Sequence, residues 1–314
     1  MPFPEIPLAD GNTIPSIAFG SGTANKGKDI HEYVENALNE GFSHLDTAQH
    51  YMNEESVGVA IRESGLSRSD VFVTTKWSGS NPDVRQSLEI SLVKLGLDYV
   101  DLFLIHFPEA AKGKLESVWR VFEEVREAGL TRSIGVSNFT IKELEELLKV
   151  ARVKPVVNQV QFHPYNWAEN KALLEFHKKH GILTEGYSSL LPVTRYPGGP
   201  VDSVLARAAK RLNATPTQII FSWVKAKGVV IVTTTSKREH LREYLAVGDL
   251  PDLMPEEIAA IDEAGSTGPS STLRLITLSR TAVQRWRNWL LLSILLTFVL
   301  YAMQRAGPLT AQES

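Results

Sequence analysis

Short apolar stretches alternate with longer amphipathic segments along most of this chain. Eight of the apolar stretches are rich in β-branched and aromatic residues, a pattern typical of buried parallel strands. They predict strands near residues 15–19, 42–46, 71–76, 99–106, 132–136, 156–161, 182–187 and 229–233. The segments between them predict helices near 28–40, 54–64, 82–95, 115–128, 140–150, 169–180, 202–212 and 238–247, with a further helix near 255–264. The opening segment, 6–14, predicts a β-hairpin because Asp10-Gly11 supplies a turn.

Strands that alternate with helices in this way favour a closed parallel (β/α)8 barrel of the TIM type over residues 1–264. An open doubly wound sheet is the alternative. A dinucleotide-binding sheet of that kind carries G-x-G-x-x-G after its first strand, whereas this chain has only Gly20-Ser21-Gly22 there. The predicted fold class is therefore an α/β barrel with an N-terminal β-hairpin and an apolar C-terminal helix.

The carboxyl-terminal part of the chain has a different composition. Residues 265–285 are predicted to be a linker, because 264–272 is rich in Gly, Ser, Thr and Pro. The segment 286–304 predicts an apolar helix that lacks charges between Trp289 and Met303, and residues 305–314 a polar tail. We interpret the apolar helix as a C-terminal membrane anchor, although it is shorter than the ~20 apolar residues of a usual span. The alternative is a terminal helix that packs on the barrel or on a second subunit.

Composition excludes several classes of protein. The 33 basic and 36 acidic residues give a net charge of −3, which provides no electrostatic reason to expect nucleic acid as a partner. The absence of cysteine excludes disulfides, thiolate metal sites and a Cys nucleophile, and no other metal-ligand spacing occurs. The amino terminus lacks the features of a signal peptide. The catalytic body is therefore expected in the cytoplasm, anchored to an intracellular membrane by the apolar helix.

Four polar residues lie at the ends of predicted strands or shortly after them: Asp46, Tyr51, Lys76 and His106. The carboxyl ends of barrel strands meet on one face, where ligands bind. The sequence therefore predicts a single site that contains an acid, a phenol, an ammonium and an imidazole.

These four groups suit the reduction of a carbonyl by a nicotinamide, which needs a proton donor beside the hydride donor. The Tyr51 phenol is a poor acid at its ordinary pKa of ~10, and the Lys76 ammonium is expected to lower that pKa. Asp46 is expected to keep Lys76 charged in a buried site. Neutral His106 is expected to donate a hydrogen bond to the substrate oxygen and orient it.

Five motifs carry a resemblance to the aldo-keto reductases. They are DTAQHYMNEE at 46–55, TTKW at 74–77, LIHFP at 104–108, IGVSNF at 134–139 and NQVQFHP at 158–164. The resemblance extends from about residue 5 to 265. It implies a barrel that binds NADPH across its carboxyl face, with Tyr51 as the proton donor of the four catalytic residues.

The resemblance also implies which residues hold the cofactor. Ser137, Asn138 and Gln159 would bind the carboxamide, an aromatic side chain would stack on the nicotinamide, and a loop after the seventh strand would line the pyrophosphate path. The predicted cofactor-binding residues are Gly22, Thr23, Asp46, Ser137, Asn138, Gln159, Tyr187, Ser188, Leu190, Thr234, Thr235, Ser236 and His240.

The segment after the eighth strand departs from the family pattern. Thr234 and His240 stand where many members have a Lys and an Arg that bind the 2′-phosphate of the adenosine. The hydroxyls of this Thr-rich segment, together with Ser236, can still bind phosphate oxygens, and Lys237 or Arg238 is expected to compensate. The predicted cofactor is therefore NADPH, with NADH as the alternative.

The substrate is expected to be a small-molecule carbonyl compound. Trp77, His106 and Phe107 are predicted to line an apolar pocket for it, and the short segment 109–114 predicts an open site for small or flexible carbonyls. The alternative function is a redox sensor or scaffold that binds a nicotinamide nucleotide at a membrane, with turnover incidental. The four catalytic residues argue against that alternative.

Overall fold

Eight parallel strands close into a barrel in the computed structural model, which describes residues 3–81 and 83–269. A separate antiparallel hairpin precedes them, formed by β1 (Glu5–Pro7) and β2 (Thr13–Pro15). The barrel strands are β3 (Ile17–Gly20), β4 (His44–Asp46), β5 (Phe72–Trp77), β6 (Val100–Ile105), β7 (Thr131–Ser137), β8 (Val157–Gln161), β9 (Leu183–Tyr187) and β10 (Val230–Thr233). Neighbours in the barrel follow the chain order, and β10 pairs with β3 to close it. The predicted barrel and hairpin are confirmed.

Helices connect the strands and cover the outside of the barrel. They are α1 (His31–Glu40), α2 (Glu54–Glu63), α3 (Val84–Leu95), α4 (Leu115–Glu127), α5 (Ile141–Val150), α6 (Trp167–His180), α7 (Leu191–Arg195), α8 (Asp202–Leu212), α9 (Pro216–Ala226), α10 (Arg238–Leu245) and α11 (Pro255–Ser266). Gly41, Gly96 and Gly181 end α1, α3 and α6 in the left-handed conformation that favours glycine at a helix C-terminus.

Two hydrophobic clusters divide the core between the inside and the outside of the barrel. The larger cluster lies between the strands and the helices, where Phe19, Phe103 and Phe122 are almost completely buried. The smaller cluster fills the lower barrel with inward-facing strand residues such as Leu102 and Leu104. The hairpin residues Leu8 and Ile14, together with Val157 on β8 and Val230 on β10, belong to the same cluster. The hairpin therefore closes the amino-terminal end of the barrel, and a ligand can reach the interior from the carboxyl end.

Helices α7 and α9 are absent from the sequence prediction. Helix α9 contains the continuous apolar run Ile219-Ile220-Phe221 and is buried on most of its surface, so it lacks the polar face that marks an amphipathic helix. Its start does carry a local signal. The Thr215 hydroxyl accepts from the Gln218 N–H, the Gln218 side chain bonds back to Thr215, and Pro216 occupies the first helical position.

The membrane prediction requires a correction. Among residues 3–81 and 83–269, no helix combines the length and the apolar character that a bilayer crossing needs. The longest helix of that part, α6, has 14 residues, which correspond to about 21 Å against a hydrocarbon core of ~30 Å. The predicted apolar helix at 286–304, the tail at 305–314 and most of the predicted linker lie outside the described residues. Helix α11 extends to Ser266, two residues into the predicted linker.

Candidate active site

The carboxyl ends of three neighbouring strands bring the four predicted catalytic residues together. Asp46 ends β4, Lys76 lies near the end of β5, and His106 follows β6. Tyr51 lies in a short 3₁₀ turn, Gln49–Tyr51, that begins shortly after β4. All four side chains are buried, and Asp46, Tyr51 and His106 line one cavity.

Lys76 and Asp46 form an ion pair inside the barrel. The Lys76 Nζ lies 2.6 Å from Asp46 Oδ1 and donates a second hydrogen bond to the Thr47 carbonyl at 3.0 Å. Burial acts to lower the pKa of Lys76, but the charge of Asp46 and the hydrogen bond to its carboxylate outweigh burial, so the pKa lies above its ordinary value. Lys76 is therefore an ammonium at neutral pH, as the pairing with Asp46 predicts.

Tyr51 lies against that ammonium. The centre of its ring is 5.1 Å from Lys76 Nζ, a distance typical of a cation–π contact. Burial raises the pKa of the Tyr51 phenol, and the Lys76 charge only partly opposes this effect. Lys76 does act to lower the pKa of Tyr51, as expected, but the net direction is upward because burial contributes more than the ammonium does. Tyr51 keeps its proton at neutral pH, which is the form that a proton donor requires.

His106 lies on another side of the phenol. The two ring centres are 5.5 Å apart with the rings almost perpendicular, and the imidazole stacks on Phe107 at 4.0 Å. Burial, followed by the Lys76 charge, lowers the pKa of His106 to about 2. The imidazole is therefore neutral and carries one N–H. The Ser78 hydroxyl lies 3.2 Å from His106 Nδ1, so Nε2 bears the proton when Ser78 donates.

Replacing Ser78 by Ala is expected to reduce catalytic efficiency by about fivefold, the value of one ordinary hydrogen bond. The change removes the partner of His106 Nδ1 and leaves the ring free to exchange tautomers. The measurement is kcat/KM for carbonyl reduction, with Ser80→Ala in the same loop as a matched control. A Ser78→Ala variant as active as the wild type would show that Ser78 does not orient His106.

The residues predicted to bind a carboxamide form a connected network of hydrogen bonds. The Asn138 amide nitrogen donates to the His106 carbonyl and to Ser137 Oγ, each at 3.0 Å. The Ser137 hydroxyl donates to the Gln159 carbonyl at 2.8 Å, and the Tyr187 hydroxyl donates to Asn138 Oδ1 at 2.8 Å. Asn138 has a φ of 65°, a left-handed conformation that Asn tolerates better than most residues. The network fixes the amides and the Tyr187 ring in position before any ligand binds.

The cavity above these residues has a volume of about 670 Å³. It extends from Tyr51 and His106 past Tyr187 to Thr234 and Tyr244 at the other end. Of the predicted cofactor-binding residues, those that line it are Gly22, Thr23, Asp46, Ser137, Asn138, Gln159, Tyr187, Ser188, Leu190 and Thr234. Thr235, Ser236 and His240 are not among its lining residues, and Thr235 Oγ1 instead lies 3.2 Å from His240 Nδ1.

The cavity fits a nicotinamide dinucleotide. Amide groups and an aromatic ring lie at the catalytic end, which is the chemistry that a carboxamide-bearing ring requires. Further along, Ser189 lines the cavity with a buried hydroxyl that has no hydrogen-bond partner among the described residues. That hydroxyl suits a phosphate oxygen. Ser189 is not among the cofactor-binding residues predicted from the sequence, although it lies between two of them.

The structure places Trp77 away from the cavity. Its side chain is fully buried between β5 and α4, where its ring packs edge-on against Phe122 and its Nε1 donates to the Asn81 carbonyl. Successive strand residues point to opposite sides, so Trp77 faces outward because Lys76 faces inward. Phe107 does line the cavity and is 36% exposed. Within the described residues, no cluster of His, Asp or Glu could hold a metal ion.

Comparison with known proteins agrees with this site. A sequence model described as the aldo/keto reductase family matches residues 16–195. An NAD/NADP-dependent indole-3-acetaldehyde reductase of Schizosaccharomyces pombe is 41% identical over 270 residues, which cover 83% of this chain and 94% of that protein. The glyoxal reductase of Bacillus subtilis is 37% identical over 261 residues, with 82% and 91% covered.

A solved structure shows the same fold. The Bombyx mori aldo-keto reductase in complex with NADP superimposes with a TM-score of 0.76 at 34% identity, over 83% of this chain and 92% of that one. The barrel, the clustering of the four predicted catalytic residues, the family match and the relatives all agree, and the family match and the relatives confirm the resemblance found in the sequence. The chain is an enzyme of the aldo/keto reductase family.

Proposed function

We propose that this enzyme reduces aldehydes or ketones to alcohols with NADPH, and that Tyr51 donates the proton. One observation carries the proposal: a buried phenol that keeps its proton lies between the Lys76 ammonium and neutral His106, beside an open cavity. Ser137, Asn138 and Gln159 would hold the carboxamide, and Tyr187 would cover the ring. A bound nicotinamide would supply the hydride.

The protein groups would handle the substrate oxygen and its proton. Neutral His106 donates its remaining N–H to the carbonyl oxygen and orients it toward Tyr51. As negative charge develops on that oxygen, the phenol transfers its proton to it. The Lys76 ammonium, held by Asp46, then stabilises the phenolate that remains. Proton return from solvent restores the phenol.

Small or flexible carbonyl compounds are the proposed substrates. The segment that follows β6 contains only a short 3₁₀ turn, Pro108–Ala111, before α4 begins at Leu115. Phe107 is 36% exposed and Met52, next to Tyr51, is 66% exposed, so this side of the site is open. The names of two relatives, glyoxal reductase and methylglyoxal reductase, point to substrates of this size.

The experiment is to incubate the purified protein with NADPH and methylglyoxal and to measure nicotinamide oxidation and alcohol formation together. We expect one alcohol per NADPH oxidised. Tight NADPH binding without alcohol formation, across a panel of small aldehydes and ketones, would overturn the proposal in favour of the redox-sensor alternative. Strict selection for a bulky carbonyl compound would overturn the substrate class alone.

The cofactor proposal is NADPH, with NADH as the alternative. The expected compensation by Arg238 meets an obstacle, because its Nε lies 3.1 Å from Glu40 Oε1 on α1. Arg242 holds the same carboxylate with two hydrogen bonds, at 2.7 and 2.9 Å. Neither guanidinium lines the cavity, whereas Thr234 does. The cavity therefore offers hydroxyl groups rather than these two cations to a 2′-phosphate. The name of one relative, an NAD/NADP-dependent enzyme, supports keeping both cofactors in the test.

Replacing Thr234 by Lys is expected to tighten NADPH binding by about tenfold and to leave NADH binding unchanged, because a hydrogen bond to a charged group is worth roughly 1.5–3 kcal/mol. The measurement is the Kd of each nucleotide by quenching of protein fluorescence. Thr235→Lys is the matched control, since Thr235 does not line the cavity. An equal gain for NADH would show that residue 234 does not face the 2′-phosphate.

A further inference from the structure

A second buried carboxyl group lies beneath the catalytic residues, and the mechanism above does not use it. Glu185 belongs to β9 and is 0% exposed. It lies two residues before Tyr187, so both side chains point into the barrel. Its strand neighbours at the same level are Gln159 on β8 and Val230 on β10.

Glu185 takes part in orienting the Gln159 amide. The Gln159 Nε2 atom donates to Asp46 Oδ2 and to Glu185 Oε2, both at 2.8 Å. An amide nitrogen carries two hydrogens, so the two carboxyl groups accept both of them. The Gln159 side-chain oxygen is thereby left to accept a hydrogen bond from a ligand, and Gln159 lines the cavity. A carboxamide NH₂ is the complementary group.

The charges around Glu185 come from two other strands. Asp46 on β4 and the Lys76 ammonium on β5 form a neutral pair, and Gln159 and Val230 on the adjacent strands do not ionise. Burial and then Asp46 raise the pKa of Glu185 to about 8, against opposing effects of Gln159 and Lys76.

Two further titratable groups share the barrel interior with Glu185. His44 on β4 is neutral, since burial lowers its pKa to about 4, and the pKa of Tyr187 is raised by burial. The Glu185 Oε1 atom is buried without a hydrogen-bond partner among the described residues. Glu185 therefore carries a proton at neutral pH and loses it under mildly alkaline conditions.

We propose that Glu185 is a positioning residue of the nicotinamide site, which orients Gln159 toward the carboxamide and, by ionising, favours binding of the oxidised cofactor over the reduced one. The proposal rests on the proposed function. A reduced nicotinamide ring is neutral and an oxidised ring is a cation. A carboxylate beneath the ring attracts the cation and leaves the neutral form almost unaffected.

Two substitutions separate the two parts of the proposal. Glu185→Gln keeps an oxygen that accepts from Gln159 Nε2 but cannot ionise. In Glu185→Met the side chain has a similar length but offers no such acceptor. One hydrogen of the Gln159 amide then loses its partner, and the amide group can rotate and exchange the positions of its oxygen and nitrogen. The readouts are the Kd values of NADPH and NADP⁺ by fluorescence quenching, at about pH 6.5 and about pH 9.5, on either side of the expected ionisation.

In the wild type, we expect the ratio of the NADPH Kd to the NADP⁺ Kd to rise on the order of tenfold between the two pH values, equivalent to a change of about one unit in the pKa of Glu185 on binding NADP⁺. Glu185→Gln should show no such rise and should match the wild type at the lower pH. Glu185→Met should weaken binding of both nucleotides by about tenfold at both pH values, as loss of an oriented hydrogen bond would.

Thermal unfolding of the nucleotide-free protein gives a second readout. The pKa of Glu185 is raised from 4.5 to about 8 in the folded protein. Between pH 4.5 and pH 8 the carboxyl group of Glu185 ionises in the unfolded chain but stays protonated in the folded protein. The stability that protonated Glu185 contributes is therefore fully present below pH 4.5 and is lost as the pH rises toward 8. The Tm of Glu185→Gln minus that of the wild type should accordingly increase from pH 5 to pH 8.

Identical pH dependence of the Kd ratio in the wild type and Glu185→Gln would overturn the charge role, and unchanged binding in Glu185→Met would overturn the orienting role. Either result leaves the proposed function intact, because the wild type would still bind nucleotide and reduce carbonyls. A wild type that binds neither nucleotide would overturn both proposals.

Discussion

Replacing Tyr51 by Phe is expected to lower kcat for carbonyl reduction by about 10³, within the range of roughly 10²–10⁴ that a positioned acid contributes. The substitution removes only the hydroxyl and keeps the ring that lies 5.1 Å from Lys76 Nζ and 5.5 Å from the His106 ring. Neither neighbour can replace the acid. Asp46 raises the pKa of Lys76, which makes the ammonium a weaker acid. The pKa of His106 is about 2, so at neutral pH there is no imidazolium to act as the acid. The measurement is steady-state NADPH oxidation with saturating aldehyde, which gives kcat.

The Kd of NADPH serves as the control for that prediction. It should stay within about twofold of the wild-type value, since no hydrogen bond of the Gln159 and Asn138 network involves Tyr51 among those described. A kcat within tenfold of the wild type, with binding intact, would remove Tyr51 from the role of proton donor and assign the proton to another group.

Replacing Lys76 by Met is expected to destabilise the protein by about 3–5 kcal/mol, the usual result of removing one partner of a buried ion pair. Lys76 is 0% exposed and its Nζ lies 2.6 Å from Asp46 Oδ1, so Met leaves the Asp46 carboxylate buried without a counter-charge. The substitution should also remove measurable reductase activity, because no cation then stabilises the Tyr51 phenolate. The measurements are urea unfolding and kcat.

Two variants make that prediction specific. Lys227→Met breaks a partly exposed pair, 2.7 Å from Asp262, and should cost only about 1 kcal/mol or less. The double variant Asp46→Asn/Lys76→Met removes both charges and should regain part of the lost stability without regaining activity. A single variant Lys76→Met as stable as Lys227→Met would contradict the assignment of a charged pair to the barrel interior.

The barrel and the gathering of the candidate catalytic residues on one face could be predicted because both depend on local patterns. Buried parallel strands are short apolar runs, and a polar residue at the end of such a run stands out from it. Asp46 and Lys76 each end or nearly end a strand, and the closure of the barrel brings those ends together. Chain order alone therefore placed the acid, the ammonium and the imidazole on one face.

Other features depend on which way a side chain points and on what lies behind it. Side chains along a strand alternate between the barrel interior and the helices. Trp77 follows the inward-facing Lys76 and therefore faces the helices. Glu185 lies two residues before the inward-facing Tyr187 and therefore faces the barrel interior. Helix α9 was missed because burial on most sides removes the periodic polar face. The direction of the Tyr51 pKa shift depends on whether burial or the Lys76 ammonium has the larger effect. The spacing of residues along the chain does not show how deeply the phenol is buried.

The hairpin formed by β1 and β2 bears on the order in which ligands bind to the enzyme and leave it. Leu8 and Ile14 fill the amino-terminal end of the barrel, so a ligand enters the cavity from the carboxyl end. On the proposed function, the nicotinamide ring rests on Gln159 and Tyr187 while the carbonyl approaches over Phe107 from outside. In that arrangement a bound carbonyl compound would lie over the nicotinamide ring, so we expect the nucleotide to bind before the carbonyl compound and the alcohol to leave before the oxidised nucleotide.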